Sequence, residues 1–246
     1  MKTEVRGFYE DYWRRREQEG RLHVLPDMWV PGRVALAIDM MQSVGIASDM
    51  SVLDVGCGEG VLGKLLREAW VSDHTVRIVG VDISRRALAY AKEYYDEVVE
   101  ANVERDEWAA RFGSEAFDCV VVLETLEHLF NPGATLAQIA RVLKRRGVLI
   151  ASFPNIAFWS YRLDLLRGVW PRGYTLWDSA EHIQQFTLAS FRDLLSASGF
   201  RVVALDGTRE YPRFFRPYRL FDLALRRFLS VFASQVVVKA IQDRRN

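Results

Sequence analysis

Three clusters in this chain have residue types and spacing suited to chemistry. The first is Val52-Leu53-Asp54-Val55-Gly56-Cys57-Gly58-Glu59-Gly60, an apolar run that passes straight into a glycine-rich turn. With no Cβ at Gly56 or Gly58 a ligand can lie against bare main chain, and Gly60 can take dihedrals other residues avoid as a helix opens over Val61 to Trp70. The rhythm is G-x-G-x-G, whereas a dinucleotide turn needs G-x-G-x-x-G, with its third glycine where Val61 stands. The second is Asp82, which closes the apolar run Val76 to Val81 roughly 20 residues past the turn, where an open α/β sheet presents an acceptor for ribose hydroxyls. The third is Glu124-Thr125-Leu126-Glu127-His128, followed much later by Glu181-His182. On a helical turn Glu124 would share a side with Glu127 and His128, three and four residues on.

These residues need a frame that converges them. Further strands are expected over Glu97 to Ala101, Phe117 to Leu123, Gly147 to Phe153, Phe200 to Leu205 and Ser234 to Ile241. Phe117 to Leu123 is the continuous apolar type covered on both faces. Helices fall between them, among them Val34 to Gln42 and Pro132 to Leu143, the latter with Asn131 as cap and Pro132 at its first position. Alternation of strand and helix implies an α/β fold, a sheet doubly wound with its ligand crevice at the carboxyl ends of the strands. Gly56, Asp82, Asn102 and Glu124 all fall at such ends, a convergence suited to a nucleotide-like ligand.

Bulk composition narrows the partners. The 246 residues are 50% hydrophobic, enough for one compact domain, and 33 basic against 32 acidic residues give no strong nucleic-acid signal. Cys57 and Cys119 read as small core residues rather than a bridge. No run approaches the roughly 20 apolar residues of a membrane span and the opening residues lack an apolar signal core, so a cytoplasmic protein without a transmembrane segment is expected.

On Val52 to Gly60 and Val79 to Asp82, the chain resembles class I S-adenosylmethionine-dependent methyltransferases over about residues 48 to 205. The resemblance implies a Rossmann-like, seven-stranded, mostly parallel sheet with its last strand antiparallel, and S-adenosyl-L-methionine as cofactor. It also implies that Gly56, Gly58 and Gly60 border the methionine part, with Asp54, Cys57 and Glu59 in the same turn. Asp82 and its neighbour Ile83 would hold the ribose, and Asn102 and Val103 would face the adenine. Leu123 and Glu124 would floor the methyl group. Asn102 stands where relatives carry aspartate, a departure its side-chain carbonyl can absorb.

The E-x-x-E-H pattern with a later histidine resembles ubiquinone-pathway O-methyltransferases and small-RNA 3′-end 2′-O-methyltransferases, in which matching residues hold a divalent cation beside the attacking hydroxyl. Here these would be Glu124, Glu127, His128 and His182. The reading leans against a resident metal, because L-E-H also ends the fourth strand in metal-free relatives. His182 or His128, with Glu127, then remains as candidate acid–base machinery, or alignment alone suffices.

The chain is read as one domain over 1–246: a helical cap (1–47), a cofactor half (48–155), and an acceptor half (156–246) with a lid at 157–180 and an amphipathic insert at 211–232. The cap carries Tyr9, Tyr12, Trp13 and Arg14 on helical spacing over Phe8 to Gln18, and Arg33 is a candidate partner for the cofactor's carboxylate. The insert, basic and aromatic from Tyr211 to Phe232, suits either peripheral contact with anionic lipid or docking on the domain. Phe153-Pro154-Asn155 and Trp159 to Gly168 resemble MetW-like methionine-biosynthesis proteins. The expected function is methyl transfer to an oxygen of a small-molecule acceptor such as a glycan, a lipid-linked molecule or a quinone. The alternative is a cofactor-binding, non-catalytic regulator of a biosynthetic enzyme.

Overall fold

A computed structural model describes residues 2–25, 28, 30–43, 50–69, 76–171, 182–209 and 228–243. The strands are β1 (Ser51–Val55), β2 (Arg77–Asp82), β3 (Glu97–Glu100), β4 (Phe117–Leu123), β5 (Leu143–Pro154), β6 (Phe200–Arg209) and β7 (Ala233–Gln242). They form one sheet in the order β3-β2-β1-β4-β5-β7-β6. Strands β1 to β5 pair in parallel, and β7 runs antiparallel to both β5 and β6. The chain winds from β1 outward through β2 and β3, then returns to place β4 on the other side of β1. The carboxyl ends of β1 and β4 therefore flank the crevice where strand order reverses.

Side-chain alternation explains why both faces are covered. Along β1, Val52 enters one apolar layer while Leu53 and Val55 enter the other. The first layer is closed by α2 (Gly32–Gln42), α3 (Val61–Ala69) and α4 (Arg85–Ala91), through Val34, Met41, Leu62, Leu66 and Leu88. The second is closed by α5 (Pro132–Val142) and a later helix, α7 (Leu188–Ala197), through Leu136, Ile139, Phe191 and Leu195. Local chemistry sets the helix starts. Asn131 Oδ1 accepts the Ala134 N–H at 3.2 Å, and Ser84 Oγ accepts the Ala87 N–H at 3.2 Å.

The elements differ from expectation at their edges. The first helix, α1, spans Lys2–Gln18 rather than starting at Phe8. Strand β5 begins at Leu143, because that residue is already extended and pairs with Phe117 beside the salt bridge from Lys144 Nζ to Asp118 Oδ2 at 2.8 Å. Part of the expected lid, residues 172–180, and most of the amphipathic insert, up to residue 227, lie outside the described residues. Of these two stretches, α6 (Trp159–Leu166) and a short turn of helix, Leu229–Phe232, are described. Cys57 and Cys119 are buried free thiols. Among the described residues no helix is long and apolar enough to cross a membrane.

Candidate active site

The glycine turn at the end of β1 is left-handed at each glycine, with φ of +77° at Gly56, +53° at Gly58 and +96° at Gly60. The three glycines do different work. A Cβ on Gly56 would lie 2.3 Å from Thr125 Oγ1, and one on Gly58 would lie 2.9 Å from the Trp13 ring. Both positions keep the turn tucked under the walls of a cavity of about 770 Å³. At Gly60 the added atom would meet the Ala91 Cα at 2.8 Å, so this glycine lets the turn pack on α4, and it does not line the cavity. Of the other expected cofactor residues, Asp54, Cys57, Glu59, Asp82, Ile83, Asn102, Val103, Leu123 and Glu124 do line it, as do His128 and His182.

Asp82 ties β2 to the glycine turn. Its Oδ2 accepts the Gly58 N–H and its Oδ1 the Ser84 N–H, each at 2.9 Å. Burial raises its pKa, and the N–H groups of Ser84, Gly58 and Ile83 pull the other way by favouring the ionised form. Asp54 is held differently. Burial pushes its pKa up to about 7, opposed by the Tyr95 hydroxyl, which donates to Oδ2 at 2.6 Å. Tyr95, 41 residues away on the turn before β3, gave no sequence signal of this role.

Asn102 organises the loop after β3. Its Oδ1 accepts the Glu104 N–H at 3.0 Å and its own N–H donates to Asp106 Oδ2 at 2.9 Å, which leaves the second lone pair of Oδ1 as acceptor capacity. Glu59 anchors the segment after α1, with Oε1 accepting the His23 N–H at 2.9 Å while Lys64 Nζ donates to the Val24 carbonyl at 2.9 Å. Helix α1 itself lies along α4 and the rim of the cavity. Glu10 accepts the Arg85 N–H at 2.6 Å, Arg86 Nη1 meets Glu17 at 2.6 Å, and Arg6 meets Glu100 at 2.6 Å. This brings Tyr9, Tyr12 and Trp13 to the cavity wall.

At the end of β4 the acidic cluster separates into two parts. Glu124 is not helical but left-handed, φ +49°, so it does not share a helical face with Glu127 and His128 as the spacing suggested. Its Oε1 accepts the Ser152 hydroxyl at 2.9 Å, its Oε2 accepts Gln235 Nε2 at 3.2 Å, and its N–H donates to Ser152 Oγ at 3.0 Å. Burial raises its pKa, offset first by the positive charge of Arg33. A 3-10 turn over Leu126–His128 then turns Glu127 inward, where it is 0% exposed and neither carboxylate oxygen has a hydrogen-bond partner. Burial, and after it the nearby Glu124, holds its pKa well above the carboxylate range.

His182 arrives opposite this carboxylate, with Nε2 3.9 Å from Glu127 Oε1. Its approach is fixed by main chain: the Gln184 N–H donates to the Glu127 carbonyl at 2.8 Å and the Ile156 N–H to the Phe186 carbonyl at 3.0 Å. Asn155, fully buried, brackets the junction, since its Nδ2 donates to the Ala233 carbonyl at 2.9 Å and its Oδ1 accepts the Ala157 N–H at 3.1 Å. The His128 and His182 rings lie 4.7 Å apart. Burial, then the proximity of His128, lowers the His182 pKa to about 4, so its imidazole is neutral at physiological pH. One ligand atom each from Glu127, His128 and His182 lie within 4.8 Å of one another.

A seven-stranded sheet of this order, a glycine turn locked to an acid at the end of β2, and a cavity across the strand ends define the class I S-adenosylmethionine-dependent methyltransferase fold. The chain belongs to that family: residues 32–205 match the model of the methyltransferase domain. It is 29% identical over 178 residues to the mitochondrial ubiquinone biosynthesis O-methyltransferase of Saccharomyces cerevisiae, covering 67% of this chain and 54% of that protein. The chain thus spans about half the length of the first curated relatives it matches. Among solved structures, magnesium protoporphyrin IX methyltransferase from Synechocystis, with bound SAH, aligns with a TM-score of 0.64 at 18% identity, covering 98% of this chain and 100% of that one. The cyclase SpnF aligns with a TM-score of 0.58 at 15% identity, covering 85% of this chain and 80% of that one. The last shows that the frame alone does not fix the reaction.

Proposed function

We propose that the protein transfers the methyl group of S-adenosylmethionine to an oxygen of a small-molecule acceptor, and that Glu127, His128 and His182 hold a divalent cation beside the acceptor hydroxyl. The observation that carries this reading is the orphaned carboxylate of Glu127, wholly buried, with two imidazoles around it. Burial keeps the empty Glu127 carboxyl protonated, and a buried polar group with no hydrogen-bond partner still costs about 1–3 kcal/mol, which a cation that replaces the proton would offset. A neutral His182 leaves a ring nitrogen lone pair for a metal, and a set of two imidazoles and one carboxylate suits zinc, manganese or cobalt better than magnesium.

The residues of the cofactor edge fit the nucleoside. Asp82, with both oxygens oriented by backbone N–H groups, keeps further lone pairs for the two ribose hydroxyls, and Asn102 and Val103 border the base. When bound, S-adenosylmethionine would supply an electrophilic methyl group on a positively charged sulfur, and a cation held by Glu127, His128 and His182 would lower the pKa of the acceptor hydroxyl. The chain's own share is alignment: Leu123 and Glu124 line the cavity with the glycine turn, and Tyr9, Tyr12 and Trp13 of α1 form part of its wall. Similarity to ubiquinone O-methyltransferases supports oxygen as the receiving atom.

The test incubates the purified protein with radiolabelled S-adenosylmethionine and a small-molecule cell extract, with and without a chelator. Label is expected in a base-stable small molecule, is lost with chelator, and returns with manganese. Labelled product that ignores the chelator removes the cation, and cofactor binding without any product removes the transferase reading.

A further inference from the structure

We infer that α1 is a hinged lid, latched to α4 and to the end of β3 by charged side chains and lifted each time the cofactor enters or leaves. This rests on S-adenosylmethionine as the ligand and adds how it reaches its site. Helix α1 is 17 residues long and walls the cavity, yet none of its residues 5–18 is buried. The chain changes character directly after it. Leu22 and Val24 are 2% and 6% exposed, and their segment is pinned by the His23 N–H donating to Glu59 Oε1 and by Lys64 Nζ donating to the Val24 carbonyl, each at 2.9 Å. Between the helix and this anchored segment stands Gly20, left-handed at φ +63°, with open space where a Cβ would be. A helix without core residues, joined to the domain through a glycine that nothing packs against, is drawn from the low-stability end of a fold and has a pivot at which to turn.

What holds α1 down is polar. Arg6 Nη2 meets Glu100 at 2.6 Å, Glu10 accepts the Arg85 and Arg86 N–H groups at 2.6 and 3.3 Å, and Glu17 accepts from Arg86 Nη1 at 2.6 Å and from the Tyr90 hydroxyl. None of Arg6, Glu10 and Glu17 lines the cavity, so they fasten the helix without touching what lies beneath it. Other residues of the same helix form the roof: the Trp13 ring lies over Gly58, and Tyr9 stands edge-on to His128 with ring centroids 6.4 Å apart. A ligand settling on the glycine turn passes beneath Trp13, and the same closure returns Tyr9 to His128 at the other end. Partly exposed ion pairs of this kind each contribute little and are screened by salt, which suits a fastening that reopens at every turnover.

Stopped-flow mixing of the full chain with S-adenosylhomocysteine, followed by tryptophan fluorescence, tests the lid, because this ligand carries no net charge and the salt dependence of its binding reports on the latch. With Glu10→Gln and Glu17→Gln combined, association and dissociation are both expected to quicken about three- to tenfold, the scale of two weakened ion pairs, while affinity stays within about twofold, since a latch opposes entry and exit alike. Raising the salt from about 0.05 to 0.5 M should quicken both rates in the wild type and do less in the variant. Arg6→Gln, at the end of α1 far from Gly20, should give the same pattern on a smaller scale. Dissociation that quickens alone, with affinity lost in proportion, makes α1 a fixed wall and overturns the lid, as do rates that none of these changes moves. Hydrogen exchange needs no ligand: the amides of α1 should exchange together, faster than those of α3, and faster again in the double variant. Amides of α1 as protected as those of α3 overturn the lid even if the cofactor binds. A wild type that binds no S-adenosylhomocysteine overturns the proposed function instead, and exchange still decides whether α1 opens.

Discussion

Asp82 and Glu127 are both buried carboxylates at strand ends of one sheet, and they are kept in opposite ways. Asp82 has a backbone N–H on each oxygen, whereas Glu127 has a donor on neither. The first is complete without a ligand, so it can orient neutral hydroxyl groups with little rearrangement. The second is incomplete, and its environment favours whatever brings positive charge. Under the proposed function Asp82 would serve recognition of the cofactor through a preorganised edge, and Glu127, beneath the cavity-lining His128 and His182, would serve the cation.

The sharpest way to break this contrast is Glu127→Gln. If Glu127 holds a cation, turnover should fall by about 10²–10³, the scale of losing one electrostatic element of a site. The thermal midpoint should rise with added Mn²⁺ in the wild type and stay flat in the variant, since a ligand stabilises only the state that binds it. Unchanged turnover would return Glu127 to a structural role. Next in size is Asp82→Ala. It removes the acceptor for the Gly58 and Ser84 N–H groups as well as the proposed ribose contacts, so S-adenosylhomocysteine should bind about 10–100-fold more weakly and the fold should lose about 1–3 kcal/mol. Equilibrium binding together with urea denaturation separates the two effects, and an unaltered affinity would end the assignment of Asp82 to the cofactor.

The glycine turn and the acid at the end of β2 were legible in the sequence, and the meeting of Glu127 with His182 only in part, for a physical reason. Val52 to Gly60 and Val76 to Asp82 are local: an apolar run, a glycine turn and an acid at a strand end carry their geometry in their spacing. Glu127 and His182 are 55 residues apart and meet only because Asn155 and the main chain around Phe186 fasten the intervening loops, which periodicity does not encode. The same limit explains Gly60, whose missing Cβ accommodates α4, and Tyr95, whose hydroxyl reaches Asp54 from the turn after α4, three elements further along the chain. Glu124 misled by its spacing, since three residues put it beside Glu127 on a helix but not from a left-handed strand end.

Asp54 supplies the intermediate case, a buried carboxylate with a single side-chain donor, the Tyr95 hydroxyl. Its pKa in the folded chain is about 7 against 3.8 ordinarily, with burial as the leading cause. Between those values the folded protein keeps a proton that the unfolded chain has released, so the unfolded state binds fewer protons and stability falls as pH rises through the window. Above about pH 7 both states are ionised and the loss levels off. Urea denaturation at pH 5 and pH 8 should register a decline on the order of 2 kcal/mol, discounted for relaxation around the charge from the roughly 4 kcal/mol that the full displacement would give. Asp54→Asn carries no titrating proton and keeps an oxygen to accept from Tyr95, so its stability should change less between the two pH values than that of the wild type. An equal decline in both proteins would place the pH dependence elsewhere and remove Asp54 from the series. A smaller decline in the variant would assign the pH dependence to the Asp54 carboxyl, whose side-chain donor is the Tyr95 hydroxyl.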